Sequence, residues 1–102
     1  LTAMEVNIPF LQKFHEPIKD GRKTMTCRVK KMANPGDYFK LNGIDFNVVS
    51  VEKIPLGFVA DFYWSHEGCK SRDDFIDTWK QIHPIKGFKE EEYVYLHKFR
   101  KA

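Results

Sequence analysis

The stretch Gly21-Arg22-Lys23-Thr24-Met25-Thr26-Cys27-Arg28 reads as a helix end, a basic turn and the start of a strand. Upstream of it, Phe10, Leu11, Phe14 and Ile18 recur at helical spacing across residues 10–19. Gly21 suits the position just past a helix end, where the backbone turns left-handed. Pro17 confines the regular turn to the first part of that helix. Downstream, alternation over residues 24–29 sends Met25, Cys27 and Val29 one way and Thr24, Thr26 and Arg28 the other. The polar side sets hydroxyls beside a guanidinium, with Lys23 at its mouth. Such an array fits a phosphate or a polar ring edge. It equally fits a solvated strand face, which is common for threonine-bearing strands.

Working outward, Glu5 to Pro9 alternates with Val6 and Ile8 on one side and predicts a half-buried strand. Asn34-Pro35-Gly36-Asp37 is a turn, residues 38–41 a short strand, Asn42-Gly43 a hairpin turn and residues 44–54 a longer strand. Pro55 and Gly57 break the pattern. Residues 58–66 predict a helical segment ended by Gly68. Ser71 caps a second helix whose buried stripe is Phe75, Ile76, Trp79 and Ile82, and Pro84 stops it. Residues 93–99 alternate again and predict a closing strand. Strand, helix, several strands, two helices and strand make an α+β domain with a curved or barrel-like sheet.

With 102 residues the chain has room for one domain and one core. Aromatic residues reach 15%, enough ring area to build that core, with some rings left over as stacking platforms. A net charge of +3 permits a polyanionic partner without requiring one. No run of 18 apolar residues or secretory signal is present, so no membrane association is expected. Two cysteines, Cys27 and Cys69, are too few for a disulfide framework, and a cytoplasmic, reduced state is expected. His66 and Cys69 do not complete a metal site, so neither metal nor cofactor is expected. Residues 1–3, ahead of Met4, are set aside as a remnant; residues 4–102 are taken as the domain and expected to be monomeric.

The run from Ile18 to Arg28 resembles the signature of the ASCH (activating signal cointegrator homology) family: an apolar residue, a gap, Gly, a basic residue, Lys-Thr, one residue, Thr, one residue, Arg. Gly36-Asp37 before a strand, Glu67-Gly68 before a helix and the ending Ile82-His83-Pro84 extend the resemblance from about Val6 to Phe99. It implies a PUA-like fold, a small mixed β-barrel with about three short helices packed around it, and a cleft beside the Gly-Arg-Lys-Thr segment. It also implies RNA or a modified nucleoside as partner. One small branch of the family hydrolyses N4-acetylcytidine with a Lys, a Thr and a Glu. By motif these fall on Lys23, Thr26 and, with a one-residue gap before the following helix, Glu67.

Amide hydrolysis needs a nucleophile, a base for its proton and an acid for the leaving nitrogen. A threonine hydroxyl needs an adjacent base. A lysine serves where burial or positive neighbours favour its neutral form, and Arg22 and Arg28 flank this segment as electrostatic support. Glu67 would protonate the departing nitrogen or activate water. Thr24, with Arg22 and Arg28, joins the expected binding surface. Tyr63 and Trp64, just before Glu67, are candidates to stack a base or to fill the core. A non-catalytic RNA-binding module using the same cleft is the competing expectation, and a protein-interaction adaptor a third.

Overall fold

The computed structural model describes residues 2–102. Leu1 lies outside the described residues.

The chain starts without the strand expected at residues 5–9. One parallel bridge, Glu5 to Tyr38, is all that forms, with Val6 N–H donating to the Tyr38 carbonyl at 2.8 Å. Pro9 has no N–H to continue a ladder, and Ile8 is buried in the core. The helix of residues 10–19 begins late. A 3-10 turn, Gln12–Phe14, runs into α1, His15–Asp20. Pro17 therefore sits in the first turn of α1, where its missing N–H has no intrahelical partner to lose. Gly21 ends the helix at φ 87°.

Four strands follow: β1 Met25–Arg28, β2 Tyr38–Leu41, β3 Ile44–Pro55 and β4 Tyr93–Lys101. Asn42 (φ 51°) and Gly43 (φ 78°) both take the left-handed backbone of a two-residue hairpin turn between β2 and β3. The sheet order is β1-β4-β3-β2, with every pairing antiparallel. The expected closing strand is thus a central one, and the sheet curls into a half-barrel whose edges are β1 and β2. A register shift between Val48 and Ser50 bulges Val49 outward, which adds to the curl.

The two faces are packed differently. One carries Phe39, Phe46 and Phe99, which pack with Phe10 at ring separations of 5.1–6.1 Å. Each such pair adds about 0.5–1.5 kcal/mol beyond its burial. The other face carries Cys27, Val94 and Leu96 and joins the same core as the helices. Helix α2, Leu56–Phe62, starts two residues before and stops four residues before the expected bounds; Leu56, Val59 and Ala60 are fully buried beneath it. Helix α3, Arg72–Ile82, is capped by Ser71, whose side chain accepts from Asp74 N–H at 3.0 Å. The fold class is therefore the expected α+β one, with about three short helices on a curled sheet. Among the described residues no helix is long and apolar enough to cross a membrane.

Candidate functional site

A cavity of about 550 Å³ opens beside the edge strand β1. Thr26, Cys27 and Arg28 form its β1 wall, Phe14 one side and Phe75 and Trp79 of α3 the other. Lys23 and Glu67 also line it. Leu11, Val29 and Ile82 line it too and are among the exposed apolar residues, so its mouth is greasy and its floor ionic.

Lys23 is 2% exposed. Its Nζ donates to the Met25 carbonyl at 2.8 Å, the Glu67 carbonyl at 2.8 Å and Glu67 Oε1 at 3.2 Å. Three acceptors match the three donors of an ammonium. The Phe14 ring lies 4.5 Å from Nζ, adding a cation–π contact. The close approach of the Glu67 loop is made possible by Gly68. Its φ is +84°, and a Cβ there would stand 2.9 Å from Lys23 Cβ. Only glycine meets both conditions.

Glu67 is as buried as its partner. Oε1 pairs with Lys23, while Oε2 has no hydrogen-bond partner although it is buried. An orphaned carboxylate oxygen in a cavity wall is costly unless something in the cavity binds it. Its charge reaches the neighbouring sulfurs. Burial first, and the Glu67 carboxylate second, push the Cys27 thiol well above its ordinary range. The same two causes push Cys69 up to about 11. Both cysteines are held as thiols, which makes them poor nucleophiles.

Thr26 is 4% exposed. Its Oγ1 accepts from Arg28 Nε at 3.1 Å, and Arg28 Nη2 donates to the Pro9 carbonyl at 2.6 Å. Arg28 is thereby fixed over the Phe10 ring at 5.1 Å. Behind Thr26 stands His97, fully buried. Its Nε2 accepts from Met32 N–H at 3.0 Å and its Nδ1 faces the Thr26 carbonyl at 3.3 Å. This pairing puts the ring proton on Nδ1 and ties residues 29–34 across the sheet to β1. Burial, above all, pulls His97 below the ordinary histidine range.

Lys23, Thr26, Glu67 and Arg28 thus share one cavity. The other expected site residues lie elsewhere. Arg22 is exposed and pairs with Asp20 at 2.8 Å. Arg22 and Thr24 line a second, open depression of about 800 Å³ together with His66 and Lys70. Thr24 thus lines a different depression from Thr26, and both Thr24 and Met25 N–H donate to the His66 carbonyl, at 2.8 and 3.0 Å, where the strand begins. Tyr63 and Trp64 are half-buried and pack against the core; Tyr63 also meets Phe58 and His66 edgewise. Neither lines the cavity. Two residues escaped the sequence reading. His97 falls on the period-2 face of β4 with Tyr95 and Phe99, a signal that was available. Alternation places Cys27 with Met25 and Val29, opposite Thr26, yet it lines the cavity. Among the described residues no group of three or more side chains is arranged to hold a metal ion.

A buried carboxylate with a free oxygen, a hydroxyl and two fixed cations can accept and return a proton next to a bound polar group. The sequence matches no family model and no curated protein. Its fold does match solved structures. It is similar to an ASCH domain of Lactobacillus crispatus, with a TM-score of 0.69 and 15% identity over 97% of this chain and 79% of that one. It is similar also to a protein of Enterococcus faecalis, with a TM-score of 0.66 and 16% identity over 100% of this chain and 80% of that one. A Pyrococcus furiosus protein matches with a TM-score of 0.62 and 16% identity, covering 99% and 96% of the two chains. A half-barrel of this order, with three helices packed on it and 97% of its length matched by a solved ASCH domain, has an ASCH-like fold.

Proposed function

We propose that the domain hydrolyses an acylated pyrimidine nucleoside such as N4-acetylcytidine, with Thr26 as nucleophile. The observation that carries this reading is the free, buried Oε2 of Glu67 on the wall that also holds Thr26. Lys23 has all three donors engaged, which favours it as the cation that holds Glu67 in place. Glu67 is then the group that moves the proton. The Thr26 oxygen bonds to the acyl carbon while its proton passes to Glu67. The C–N bond breaks as that proton goes to the exocyclic nitrogen. Water, activated by the same carboxylate, cleaves the acyl-threonine ester and restores the site. The greasy mouth accommodates ring and acyl group, and Arg28 and Lys30 on the rim suit a phosphate or sugar edge.

The test is incubation with N4-acetylcytidine and detection of free cytidine. Turnover is expected, with Thr26→Ala and Glu67→Gln each abolishing it in a chain that stays folded. No product at high enzyme concentration would sink this substrate. The rim cations favour the alternative, an RNA-binding module using the same cavity without chemistry. RNA affinity that falls as salt rises, together with no turnover, would select it.

A further inference from the structure

An acyl-transfer site needs a donor for the carbonyl oxygen that becomes negative in the transition state. Lys23 has no donor left, and Arg28 is held by bonds from Nε to Thr26 Oγ1 and from Nη2 to the Pro9 carbonyl. The pairing of β1 supplies another. Phe99 N–H donates to the Thr24 carbonyl, so in the antiparallel ladder that carbonyl and the main-chain groups of Thr26 and Arg28 turn toward β4. Met25 and Cys27 turn theirs to the free edge. Met25 confirms the phase: its N–H meets His66 and its carbonyl meets Lys23 Nζ. The next pair along that edge belongs to Cys27, a residue of the cavity wall. Among the described residues no strand lies beyond β1, so in this phase the main-chain N–H and carbonyl of Cys27 face away from β4 with no ladder partner.

We propose that the Cys27 main-chain N–H receives the scissile carbonyl oxygen of the substrate, acting as the oxyanion donor of this site. The inference rests on the hydrolase reading above. It adds a main-chain contact on the residue directly after the nucleophile. As the Thr26 oxygen adds to the acyl carbon, the carbonyl electron pair moves onto its oxygen and is held by that N–H. No proton is transferred to or from Cys27. The buried setting strengthens the contact, because water does not compete for it. The Cys27 carbonyl beside it is an acceptor for an N–H of the same ligand, so the edge offers donor and acceptor to an amide-bearing ring.

The experiment is amide NMR on the Thr26→Val chain, which cannot turn over, titrated with N4-acetylcytidine and separately with cytidine. The acylated compound should move the Cys27 amide proton downfield and slow its exchange; cytidine, with no acyl carbonyl, should not. Shifts at Lys23 and Cys69 with an unmoved Cys27 would overturn the proposal and leave the cavity reading intact. No shift anywhere in the cavity would overturn both. A second arm replaces the residue 27 amide by an ester in the otherwise wild-type chain. The expected result is a fall in kcat of about 100-fold with little change in KM. Wild-type kcat in the ester chain would overturn the proposal, and an ester chain that fails to fold would show that this N–H has a structural partner, which overturns it as well.

Discussion

Arg22 and Lys23 are consecutive cations, and each has a carboxylate partner: Arg22 meets Asp20 at 2.8 Å and Lys23 meets Glu67 at 3.2 Å. Their surroundings are opposite. The Arg22 side chain is 66% exposed and that of Lys23 is 2% exposed. Water screens the first pair, and such pairs add little to stability. The second pair has no water to fall back on. Each partner is tolerated only because the other is there, and the fold commits Gly68, Phe14 and two main-chain carbonyls to holding it. The pair is kept at that cost with one carboxylate oxygen still free.

The contrast is open to direct attack. Lys23→Met should have the largest effect, a loss of about 3–5 kcal/mol in urea unfolding, because it leaves Glu67 buried without its cation. The double variant Lys23→Met/Glu67→Leu should recover most of that loss, since an apolar pair removes both charges. If the double variant is no better than the single one, the pair matters for packing and not for charge. Gly68→Ala comes next, with about 1–3 kcal/mol lost from a strained left-handed residue pressed on Lys23; an unchanged unfolding midpoint would show that the loop does not lean on Lys23 as described. At the bottom of the scale, Arg22→Met should leave the midpoint where it is.

A smaller effect comes from pH. The folded His97 resists protonation, so its value lies below the ordinary 6.5. As pH falls through 6.5 the unfolded chain takes up a proton that the folded chain refuses, and stability declines until the folded value is passed. Above 6.5 there is no effect. His83, also lowered by burial, adds a decline of the same sign. Urea unfolding at pH 7.5 and 5.5 should therefore show an acid loss that His97→Gln reduces. An equal loss in that variant would assign the whole effect elsewhere.

What the sequence revealed and what it hid divide along range. Gly21, the Asn42-Gly43 turn and the Ser71 cap act within a few residues, so their chemistry is local and visible. Lys23 and Thr26 were named through a motif. Glu67, 44 positions from Lys23, was reached by the same motif, but its bonds to Lys23 and the contact of His97, 71 positions from Thr26, were not visible. Alternation placed Thr24 with Thr26 because it assumes an unbroken strand, whereas β1 begins only at Met25 and Thr24 lines a different depression. Residues 5–9 alternate as a strand does, yet β2 offers them a single bridge. Periodicity reports which side of the chain is greasy and says nothing about whether a neighbour is there to pair with.

The central place of β4 sets an order of events. Strand β1 has no partner in the sheet but Tyr93–Lys101, and His97, which anchors the loop behind Thr26, lies in that same stretch. As the chain leaves the ribosome, the segment bearing Lys23 and Thr26 waits for residues made some seventy positions later. Until they emerge, β1 has no strand to pair with. The cavity therefore cannot form before β4 is made, and a chain cut short before residue 93 would carry the motif without the site.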